Sequence, residues 1–119
     1  MEERPSTWST IYGLTRNRPF CQDFGLRDQI QRSAVSAMSN VAEGFESQSD
    51  RHFLSYLFRA KGSVGEARCH LYVAYDLHYI TQGEFDKALK ECLEVSRTIA
   101  GFAKYLKSGA AGLRKDVRI

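Results

Sequence analysis

Apolar positions recur every three or four residues in four separate stretches of the chain, the spacing of one face of an α-helix. The first stretch holds Trp8, Ile11, Tyr12 and Thr15 and predicts a short helix. Gly13 and the neighbouring Ser and Thr residues weaken it, and Arg18-Pro19 stops it, because the residue before a proline is pushed out of the helical region. The second stretch follows Asp23-Phe24-Gly25 and predicts a helix from Leu26 to about Glu43, with Leu26, Ile30, Ala34, Ala37, Met38 and Val41 on one stripe. Ser33, Ser36, Ser39 and Ala42 crowd round that stripe, so neighbouring backbones can come close and the helix is expected to be central. Gly44 is expected to end it as a left-handed residue past the last turn.

Ser47-Gln48-Ser49-Asp50 supplies hydroxyl and carboxylate caps for a third helix. Its expected span, Asp50 to His78, is about 43 Å at ~1.5 Å per residue. Phe53, Leu54, Leu57, Phe58, Val64, Leu71, Ala74 and Tyr75 line its inner side. Gly62 and Gly65 fall mid-helix, where each costs ~1 kcal/mol against Ala, and the expectation is a close crossing with another helix. The fourth helix has the clearest start: Thr81 with Glu84 three residues on is a capping box, and Ile80 with Phe85 fits the hydrophobic staple. Phe85, Ala88, Leu89, Cys92, Ser96, Ile99, Ala103 and Leu106 continue the stripe until it fades near Ser108-Gly109.

Short links make consecutive helices antiparallel neighbours. Both prolines, Pro5 and Pro19, precede the long helices. The predicted fold is all-α: an antiparallel up-down-up-down four-helix bundle with a short first helix, occupying residues 6–108, followed by a basic flexible C-terminal tail at 109–119. Hairpin register places Glu66 near Gln29, Arg32 and Ser33, predicting a Glu66–Arg32 contact. It also places Gly62 opposite Ile99 and Ala100.

Composition adds limits. The 119 residues are 43% apolar and 26% charged, which suits one folded domain. Seventeen Lys and Arg against fourteen Asp and Glu give a net charge of +3, which permits a nucleic-acid partner without demanding one. No apolar run reaches the ~18 residues of a membrane span and Met1-Glu2-Glu3-Arg4-Pro5 is no signal peptide, so a soluble cytoplasmic protein without membrane contact is expected.

Little in the chain carries chemistry. Cys21, Cys69 and Cys92 lack metal-ligand spacing and read as reduced thiols used as small apolar residues. Of His52, His70 and His78, only His70 has a partner in register, Glu66, and two groups do not make an active site. Lys61-Gly62-Ser63 lacks the upstream glycine and residue order of a phosphate loop. Asn40 with Glu43, and Ser63 with Glu66, read as packing elements at helix seams. No catalytic, cofactor-binding or metal residue is assigned, and no enzyme or cofactor is expected.

Ser39-Asn40-Val41-Ala42-Glu43-Gly44, followed by Ala60-Lys61-Gly62-Ser63-Val64-Gly65-Glu66, resembles the bacterial four-helix-bundle proteins encoded by intervening sequences in large-subunit ribosomal RNA genes, which are often mislabelled as ribosomal. The similarity covers about residues 11 to 107 and includes Tyr12-Gly13-Leu14-Thr15, Phe24-Gly25-Leu26, Asp28-Gln29-Ile30, Arg32-Ser33-Ala34-Val35 and Leu77-His78-Tyr79-Ile80. It implies a homopentamer round a central channel, no established enzyme activity, and kinship with the retroelement accessory variability protein, a basic pentamer that binds nucleic acid and a reverse transcriptase. The family's first helix is longer. Here only Ser9-Thr10-Ile11 separate Trp8 from Tyr12, which would leave part of a groove uncovered for an oligomer interface to fill.

The functional expectation is therefore a non-enzymatic oligomeric adaptor that binds RNA or DNA, with phosphate contacts at Arg59, Arg68, Lys104, Lys107, Arg114 and Lys115. The alternative is a protein–protein scaffold without nucleic acid. Helix three carries more rings (Phe53, Tyr56, Phe58, Tyr72, Tyr75, Tyr79) than one interior face absorbs, which favours a subunit interface.

Overall fold

The computed structural model describes residues 7–108, so Ser6 and the 109–119 segment lie outside the described residues. Four helices form: α1 (Thr7–Thr15), α2 (Phe24–Glu46), α3 (Asp50–Asp76) and α4 (Gln82–Lys107), with one 3-10 turn at Phe20–Gln22 before α2. Helix α3 packs on α2 and on α4, and the short α1 bridges α2 and α4 on the opposite side. This is the expected antiparallel bundle, and the described residues contain no strand.

Each long helix starts on a side chain that satisfies its first free N–H groups. The Asp23 carboxylate accepts from the Leu26 N–H, moving the start of α2 to Phe24, ahead of the expected Leu26. The Ser49 hydroxyl accepts from the His52 N–H to open α3. Thr81 and Glu84 form the full capping box of α4, with Ile80 and Phe85 both buried beside it.

Two expected ends move. Helix α3 stops at Asp76 rather than His78, because His78 takes a left-handed φ of 61°. The Tyr79 N–H reaches the Ala74 carbonyl at 2.9 Å and the His78 N–H reaches Tyr75 at 2.9 Å, the paired bonds of a Schellman turn. Helix α2 runs through Gly44 to Glu46, so Gly44 is not its left-handed terminator. A Cβ there would lie 2.8 Å from Cδ1 of Phe53 and 3.2 Å from Cβ of Tyr56, so the residue is glycine because α3 leans on it.

Gly62 and Gly65 are corrected in the opposite sense. Both are exposed, and a Cβ at either would meet nothing within 4 Å. The core-facing side of α3 is taken by Leu57, Ala60, Val64, Ala67 and Leu71, which turns both glycines outward and away from Ile99 and Ala100. Phe58, expected inside, lies about 100° round the helix from Leu57 and is half exposed.

The core runs along the centre as Ile11, Phe20, Ile30, Phe53, Leu71 and Cys92, with alanines between them. Cys92 fits the apolar use expected of the thiols, whereas Cys69 is exposed and Cys21 half-buried. At one end the Tyr79 hydroxyl donates to the Asp23 carboxylate at 2.9 Å, tying the α3–α4 turn to the start of α2. No helix among the described residues is long and apolar enough to cross a membrane.

Candidate nucleic-acid interface

The small residues of α2 and α3 build a polar seam. Ser36 Oγ and Ser63 Oγ are 2.9 Å apart, and Asn40 Nδ2 donates to the Ser36 carbonyl at 2.9 Å. Ser33 Oγ donates to the Gln29 carbonyl at 2.9 Å and reaches Oε2 of Glu66 at 3.4 Å. Asn40 and Ser63 are therefore hydrogen-bonded within the seam, while Glu66 and Glu43 are exposed. The expected Glu66–Arg32 contact is absent. Glu66 meets Ser33, and Arg32, one position round the helix, is exposed.

Basic residues gather on the outer seam between α3 and α4. Lys61, Lys104 and Lys107 rim a shallow recess of about 190 Å³ that also includes Phe58 and the methyl groups of Ala100 and Ala103. The Lys107 ammonium sits 4.8 Å from the centre of the Phe58 ring, close enough for a cation–π attraction. Lys61 and Arg68 are seven residues apart on α3; Lys90, Arg97 and Lys104 are seven apart on α4. Seven residues is nearly two whole helical turns, so each set forms one row along its helix. Lys61 and Arg68 lie on the α4 side of α3, and Lys104 and Lys107 border the seam from α4, whereas Lys90 and Arg97, about 160° and 140° round the helix from the buried Cys92, sit on the outer face of α4. None of these six residues is paired with a described carboxylate.

The expected contacts divide. Lys104 and Lys107 stand together in the recess. Arg68 is half-buried lower on the same seam, near enough to Cys92 for its charge to oppose the upward push on that thiol. Arg59 is on another side of α3, which it shares with Ser63 and Glu66, and its guanidinium lies over the Tyr56 ring at 5.2 Å. It does not join the cluster. Arg114 and Lys115 lie outside the described residues. Lys61, Lys90 and Arg97 were missed as candidates, although the seven-residue spacing is visible in the sequence.

Elsewhere the described residues offer little reactive chemistry. Burial pushes the Cys92 thiol up to about 11, the Glu91 carboxylate adding to the effect and Arg68 opposing it. No group of three or more His, Cys, Asp or Glu side chains fit to hold a metal occurs among the described residues.

Residues 6–101 match the family model of the 23S rRNA-intervening sequence proteins. The chain belongs to that family. A crystal structure of a protein of unknown function from the S23 ribosomal protein family of Bacteroides thetaiotaomicron shares the fold of this intervening-sequence protein, with a TM-score of 0.74. The two are 23% identical, and the similarity covers 82% of this chain and 88% of that one. At that identity the likeness speaks for the fold alone. No curated protein matches the chain.

Proposed function

We propose that this intervening-sequence protein is a non-enzymatic, oligomeric adaptor of the bacterial cytoplasm that binds RNA or DNA through the α3–α4 seam. The observation that carries the reading is the basic cluster on the seam: Lys61 and Arg68 on α3 with Lys104 and Lys107 on α4, continued by Arg97 and Lys90 on the outer face of α4, none of them paired with a described carboxylate. Clustered unpaired cations suit a phosphate backbone, which rewards neutralisation by releasing its own counterions. The half-exposed Phe58 ring among the lysines adds a surface on which an unpaired base can stack.

Self-association belongs to the same proposal. Gly62, Gly65, Cys69 and Val73 follow one another on the solvent side of α3, with Phe58 and Tyr72 flanking them. Two mid-helix glycines with open space above them leave a low surface that another helix can approach closely. A pentamer, as the family resemblance implies, is the assembly we assign to it. The same stripe favours the second reading, a protein scaffold that does not touch nucleic acid.

Light scattering on the purified protein, alone and with a 30-nucleotide RNA or a 30-base-pair DNA duplex, tests both halves together. The proposal expects a particle of several subunits whose mass rises by that of the added nucleic acid at low salt. A monomer whose mass is unchanged by either would overturn it. An oligomer indifferent to both would leave the scaffold reading in its place.

A further inference from the structure

The first helix is nine residues long against 23 in α2. Its Thr15 end is held to α2 by the Gln31 amide at 2.9 Å, and among the described residues its other end begins at Thr7, next to Trp8. Beyond Trp8 the seat between α2 and α4 continues as an open groove of about 410 Å³, within the rough 300–1,000 Å³ range of ligand clefts. Met38 and Val41 form one wall, Val95 and Ile99 the other, and Val64 of α3 the floor. The Phe45 and Phe102 rings meet at 5.7 Å where α2 and α4 continue past it.

We infer that this groove docks a short basic amphipathic helix from a partner protein. Three observations fix the occupant. The groove prolongs the seat of α1, so its width is that of a helix. Its walls are helices whose backbone groups are already bonded, so an extended peptide would find no edge to pair with, whereas a helix brings its own bonds. The charged residues that line it are Glu91 and Glu94, with no Lys or Arg among the lining residues. Oε2 of Glu91 is buried without a hydrogen-bond partner and Glu94 is exposed, so the lining of the groove carries negative charge. A nucleic acid is excluded here by the same carboxylates, so the groove is a second surface, independent of the basic seam.

Trp8 is the single tryptophan of the chain and stands at the mouth of the groove, 43% exposed. The test titrates the full chain with a tryptophan-free 15-residue peptide of leucine and lysine, patterned so that the leucines form one helical stripe. The Trp8 emission shifts to shorter wavelength and saturates at one peptide per chain. Glu91→Gln with Glu94→Gln weakens binding about tenfold, the loss of one partly buried charge contact. Val95→Asp, with helicity confirmed by circular dichroism, abolishes it, and a leucine–glutamate peptide does not bind. Absence of any emission shift overturns the inference, as does equal binding of the acidic peptide or of the Val95→Asp protein. So does a Trp8 already shielded in the free protein and uncovered by diluting an oligomer or removing residues 109–119, since the occupant would then be a second copy or the chain itself.

Discussion

The ring of Phe53 occupies the space a side chain on Gly44 would need: a Cβ there would sit 2.8 Å from Cδ1 and 3.0 Å from Cε1. Phe53 is buried and packs on the Phe45 and Phe102 rings at 4.8 and 5.2 Å, so it cannot swing aside cheaply. Gly44→Ala should therefore destabilise the fold by about 1–3 kcal/mol despite alanine's better helix propensity. Gly62→Ala, with open space above it, should be neutral or stabilise by up to ~1 kcal/mol. Urea unfolding of the two variants checks the pair, and a reversed order would contradict the packing described.

The thiols should separate by reactivity. At pH 8 a thiol reagent labels the exposed Cys69 first and the half-buried Cys21 more slowly, while Cys92 waits for unfolding. Because the Cys92 thiol is raised from 9.0 to about 11 in the folded chain, its contribution to stability is complete below pH 9 and is lost as pH climbs toward 11. Cys92→Ala should flatten that part of the stability profile. Equal labelling rates at all three positions would contradict the burial.

Asp23 holds two roles, capping α2 through Oδ1 and accepting from the Tyr79 hydroxyl through Oδ2. Asp23→Ala should cost about 1 kcal/mol for the cap alone. Tyr79→Phe should lower stability in the native background and do nothing further in the Asp23→Ala background, which a double-mutant cycle reads directly. The hydrogen bond to Asp23 also raises the Tyr79 phenol above its ordinary 10.0. The bond's contribution is thus present below pH 10 and is lost as pH rises through the raised value. In an alkaline absorbance titration Tyr79→Phe should remove a late-titrating phenol.

Much of the architecture was legible because it rests on local rules. Thr81 and Glu84 announce the start of α4 through four residues of sequence, and Ile30, Ala34 and Ala37 keep their spacing whatever packs on them. The errors fall where the answer lies on another helix. A glycine looks the same in sequence whether it ends a helix, as expected of Gly44, or yields to an aromatic ring from α3, as it does. The propensity cost of Gly62 suggests a crossing point, yet helix phase turns it outward. The candidate site was half legible. The sequence points to Lys104 and Lys107, but the cluster emerges only when α3 and α4 lie side by side and bring Lys61 into the lysine recess.

The most direct test of the basic seam is the salt dependence of RNA binding, read by fluorescence anisotropy on a labelled 30-nucleotide strand. The wild-type chain should bind with an affinity that falls linearly on logarithmic axes as salt rises. Replacing Lys61, Lys104 and Lys107 together by glutamine should weaken binding and reduce that slope by about 2, since each lost phosphate contact on a single strand contributes ~0.7. An unchanged slope and affinity in the triple variant, with helicity intact, would contradict the assignment of nucleic-acid binding to the α3–α4 seam.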